Sequence, residues 1–81
     1  MSQPFKTVDV AHDQARALVG KRVEIPVHYD MWMRGARFGT VTGWSKDKPG
    51  YSAYVRVIMD HPQVRRAVRV HALDFDYMRV L

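Results

Sequence analysis

The chain has 81 residues, enough for one domain. It has no cysteine, which excludes disulfides and thiolate metal sites, and no apolar run approaches the roughly 18 residues of a membrane span. A formal net charge of +5 and a pI near 10.0 favour an acidic partner, either nucleic acid or an acidic protein surface.

Residues 1–9 read as a flexible leader. They lack the basic-then-apolar pattern of a secretory signal, so the cytoplasm is the expected compartment. A short helix is predicted over residues 10–19: Asp9 can cap it, Gly20 can end it, and Val10, Ala11, Gln14, Ala15 and Leu18 fall near one face. From Lys21 the period changes to two. In residues 21–29, Val23, Ile25, Val27 and Tyr29 face one way and Arg22, Glu24, Pro26 and His28 the other, as in a half-buried strand. Pro26 cannot donate to a strand ladder and belongs at an edge or a bulge.

A loop, "DMWMRGAR", follows and hinges at Gly35. Residues 37–44 form the second expected strand, with Phe38 and Trp44 on one parity and Val41 on the other. A polar turn contains Pro49-Gly50. The third strand, residues 51–59, puts Tyr51, Ala53, Val55, Val57 and Met59 inward and Ser52, Tyr54, Arg56 and Ile58 outward. After "DHPQ", residues 64–71 read as a fourth strand with Arg65, Ala67, Arg69 and His71 outward. Arg66 falls on its apolar parity and must snorkel or sit at a bulge. "ALD" reads as one helical turn and residues 75–81 as a fifth strand. The class is mainly β. Five short strands with tight turns point to a small barrel, closed or nearly so, over residues 21–81.

This order, ending in "VHALDFDYMRVL", resembles an SH3-like barrel. "GARFGTVTGW" loosely resembles the glycine-spaced turn and strand of KOW-type barrels. A sharper likeness is to type II, plasmid-encoded dihydrofolate reductases. It runs through Gly20, Arg22 and Val23, then Gly43-Trp44, Gly50-Tyr51 and His61-Pro62, and finally Val70, Ala72, Leu73 and Asp74. That resemblance implies a tetramer of SH3-like chains around one pore, and an origin in a phage or other mobile element. The family's catalytic Val-Gln-Ile-Tyr is replaced here by Arg65, Arg66, Ala67 and Val68. Four copies of Arg66 across a narrow pore would repel one another. The likeness therefore supports the barrel and argues against the reductase.

No nucleophile motif, phosphate-cradling glycine loop or carboxylate pair stands out, so no catalytic residue and no cofactor is assigned. His28 and Asp30 have the spacing of two metal ligands, but nothing fixes a third from His61 or Asp60, and no metal is expected. The candidate binding residues are Trp32, Arg34 and Arg37 around the long loop, with Tyr54, Arg56, Arg65 and Arg69 on the strands. Arginines beside aromatics suit phosphates and stacked bases. They equally suit a protein interface. The expected function is non-catalytic binding of nucleic acid or of a nucleic-acid-associated protein. The alternatives are a diverged reductase-like homo-oligomer holding a nucleotide-like anion in its pore, and a protein-interaction or assembly module.

Overall fold

The computed structural model describes residues 8–46 and 53–81. Residues 1–7 of the expected leader over 1–9, the Pro49-Gly50 turn and the inward Tyr51 lie outside the described residues, while residues 8 and 9 of that leader are helical.

Helix α1 spans Val8–Leu18, so Asp9 lies within its first turn rather than ahead of it. Ala11 and Ala15, one turn apart, are both fully buried, and these small side chains let the helix pack closely on the sheet. Val10 and Val19 are exposed.

The strands are β1 (Arg22–Glu24), β2 (Phe38–Lys46), β3 (Ala53–Met59), β4 (Val68–His71) and β5 (Arg79–Val80). They form one antiparallel sheet in the order β4-β3-β2-β1-β5. Alternation holds on β3: Ala53, Val55, Val57 and Met59 are buried, while Tyr54 and Arg56 are half-buried and Ile58 is exposed. With Val23, Ile25, Val41 and Val70 they make a core rich in β-branched residues, closed below by Phe75 and Met78.

The expected barrel does not close. Among the described residues, β4 and β5 are the two edges and do not pair with each other. The first three residues of the segment read as a fifth strand belong to a 3-10 helix, η1 (Ala72–Tyr77), which packs against α1, β3 and β4. Only Arg79 and Val80 remain for β5, pairing with β1.

Three other expectations change. Strand β1 stops at Glu24, before the buried Pro26, and the chain turns there, with the Tyr29 N–H donating to the Pro26 carbonyl at 3.1 Å. Val27 is therefore exposed rather than inward. The long loop contains one helical turn, α2 (Asp30–Met33), and Gly35 at φ +100° then redirects the chain into β2. The fourth strand begins at Val68, not at residue 64. The Val57–Val68 pair ends its register with β3, and among the described residues no strand lies opposite residues 64–67.

A bulge between Val41 and Gly43 shifts the β2 register. It reverses the parity beyond it, so Trp44 comes to the side of Val41 and pairs with the buried Val55. Trp44 packs under α1, with the His12 ring 5.3 Å away and Arg16 over it at 5.5 Å. Earlier on β2, a Cβ on Gly39 would strike the Ile58 carbonyl oxygen, so this position needs glycine for the close approach of β3.

Candidate functional site

The outward side of β3 and β4 follows from alternation alone. Register sets Arg56 directly opposite Arg69, and Tyr54 opposite His71. Like charges so placed repel. The Arg69 guanidinium lies over the Tyr54 ring at 5.1 Å, and the Tyr54 and His71 rings are 5.7 Å apart. Arg56 donates to the Ser45 hydroxyl and lies across Gly43, where a Cβ would collide with its guanidinium. Among the described residues, neither Arg56 nor Arg69 forms an ion pair with a carboxylate.

A groove of about 550 Å³ opens between α2 and the 60–67 loop. Arg34, Arg65 and Arg66 line it, together with Met31, Val64 and Val68. Arg34 caps α2, its N–H bonded to the Asp30 carbonyl at 3.0 Å. The loop opposite is shaped by two turns at His61: the Val64 N–H donates to its carbonyl at 3.1 Å and the Gln63 N–H to its Nδ1 at 3.2 Å. Arg34, Arg65 and Arg66 are exposed and form no ion pair among the described residues.

Trp32 and Arg37 form a third group. The indole Nε1–H donates to Glu24 Oε2 at 3.1 Å, and the Arg37 guanidinium sits 4.1 Å from the ring centroid. Glu24 also meets Arg79 at 3.1 Å. This group anchors the loop, and one face of Trp32 is already covered.

The seven sequence-derived residues thus fall into three sets: Arg34 with Arg65, Tyr54 with Arg56 and Arg69, and Trp32 with Arg37. No hydrogen bond, ion pair or ring contact joins one set to another among the described residues. Arg66 was not among the seven. Its signal in the sequence is the broken alternation at Arg65-Arg66, directly after the His-Pro-Gln turn.

At the β1–β5 end of the sheet the strand arginines are paired with carboxylates. Arg22 is hydrogen-bonded to Asp60, which holds that carboxyl below the usual carboxylate range. Asp74 accepts from the Tyr29 hydroxyl at 2.6 Å and lies 3.5 Å from His28 Nε2. Burial and then that hydrogen bond push the Tyr29 phenol above its ordinary range. His28 therefore reaches across to Asp74. Among the described residues no group of three or more His, Asp or Glu is placed to hold a metal ion. No helix among them is long and apolar enough to cross a membrane.

No family model, curated protein or solved structure matches the chain.

Proposed function

We propose that the protein is a non-catalytic module that binds single-stranded nucleic acid through its β3–β4 face, on an SH3-like scaffold whose sheet is left open. The observation that carries this reading is the register. It places Arg56 against Arg69, without a carboxylate partner for either among the described residues, beside the Tyr54 and His71 rings. Arginines at directly paired positions of two strands can be bridged by one phosphate. The aromatic rings alongside offer a sequence-tolerant surface for a base. The SH3-like reading of the scaffold is supported by the strand order and by the helical turn ahead of the last strand.

The test is binding of a random single-stranded oligonucleotide to the full chain as salt is varied. Affinity should be greatest at ~50 mM salt and fall steeply above it, because phosphate contacts release counterions. No binding at low salt would show this reading to be wrong.

Self-association is a second reading, supported by a separate observation. Leu73, Tyr77, Val80 and Leu81 are exposed along η1 and the chain that follows it, beside an edge strand. Apolar surface of this kind marks contact sites. Light scattering decides it, and a strict monomer removes it along with any reductase-like pore.

A further inference from the structure

The groove between α2 and the 60–67 loop differs in construction from the β3–β4 face. Its floor is apolar, with Met31, Val64 and Val68 all packed against the core cluster. Three arginines line the groove beside that floor. Arg34 comes from the end of α2, and Arg65 and Arg66 come from the loop opposite. None forms an ion pair among the described residues. A volume of about 550 Å³ suits a small ligand and is too confined for the length of a strand.

The charge selects the ligand's head. A lone carboxylate brings one negative charge and leaves two of the three guanidiniums unmatched. A phosphate monoester brings about −1.5 to −2 at neutral pH and three acceptor oxygens. It also suits the planar, forked donors of arginine better than it would suit point-charge amines. The floor selects the body: bare phosphate would leave the apolar surface wet, whereas a nucleoside covers it.

We propose that this groove binds a terminal phosphate monoester carried on a nucleoside, with the phosphate held by Arg34, Arg65 and Arg66 and the nucleoside lying on Met31, Val64 and Val68. The same chemistry is offered by a free mononucleotide and by the phosphorylated 5′ end of a strand. The second source rests on the strand-binding reading above, and the first does not.

The experiment titrates the full chain with three probes in a calorimeter: a short single strand with a 5′-phosphate, the same strand with a 5′-hydroxyl, and adenosine monophosphate. The phosphorylated strand should bind about tenfold tighter than its hydroxyl form, the increment expected of one charge-assisted contact set. That increment should vanish in Arg65→Gln/Arg66→Gln and separately in Arg34→Gln, and persist in Arg56→Gln/Arg69→Gln. The two groove variants change different segments, and circular dichroism verifies that each is folded. Equal affinity for both strands, with no binding of the mononucleotide, overturns the groove site and leaves the strand-binding reading intact. Mononucleotide binding that is lost in the groove variants, with neither strand binding, upholds the groove site and overturns the strand-binding reading.

Discussion

On the β1–β5 side of the sheet both strand arginines have a carboxylate: Arg22 meets Asp60 and Arg79 meets Glu24. On the β3–β4 side Arg56 and Arg69 occupy equally regular strand positions and have none among the described residues. Composition accounts for the contrast. Between Ala53 and Leu73 the only carboxylate is Asp60, and Arg22 takes it, while Arg56, Arg65, Arg66 and Arg69 all lie in that span. Five arginines without an ion pair among the described residues, Arg34, Arg56, Arg65, Arg66 and Arg69, line the groove or the outward face. A positive potential concentrated on one side steers an anionic partner to it.

The contrast is most directly broken by exchanging the sides in mutagenesis. Arg56→Ala/Arg69→Ala should weaken oligonucleotide binding about hundredfold at low salt, about 2.7 kcal/mol, and lower the salt slope by about 2. Its melting temperature should hold or rise, because facing like charges are removed. Arg22→Ala/Arg79→Ala should leave affinity within about twofold, since those charges are already matched. Equal losses of affinity in the two double variants would erase the distinction between the sides.

A smaller effect separates anchoring from binding in the long loop. Trp32→Ala should cost about 2–3 kcal/mol of stability, read by denaturant unfolding, because it removes a ring packed on the core and leaves Glu24 without the indole donor. Trp32→Phe should cost about 1 kcal/mol, keeping most of the packing and losing the hydrogen bond. If Trp32→Phe instead weakens oligonucleotide binding with stability unchanged, the indole belongs to the binding surface.

The legible and illegible parts of this molecule divide along the same line. Local periodicity carried what depends on neighbours in sequence: the buried Ala11 and Ala15, the alternation of β3, and the outward Tyr54, Arg56 and Arg69. Trp44 was misassigned in parity because one bulged residue reverses the phase of everything after it. The long helical turn before β5 left that strand too short to close a barrel, which strand propensity alone does not reveal. The groove was invisible because it needs α2 and the 60–67 loop to meet, and Arg66 was assigned to a strand that begins only at Val68. Charge pairing was equally hidden: Arg22 and Asp60 are 38 residues apart, as Tyr29 and Asp74 are 45.

The smallest effect is the most specific to pairing. The hydrogen bond from Arg22, the leading cause, outweighs the little desolvation opposing it and lowers the Asp60 carboxyl below its ordinary range. A carboxyl whose folded value lies below its unfolded one contributes stability above the ordinary carboxylate range, near pH 4, and loses it as pH falls through the folded value. The melting-temperature difference between wild type and Asp60→Asn should therefore be small and constant from neutral pH down to about pH 5, then shrink toward zero in stronger acid. It stays small throughout because both partners are exposed to solvent and salt. Among the described residues Arg56 and Arg69 have no carboxylate to protonate, so the shift caused by Arg56→Ala/Arg69→Ala should not collapse across that acid window. A collapse there as well would mean that a carboxylate neutralises the β3–β4 face in solution, and the asymmetry on which the binding reading stands would be gone.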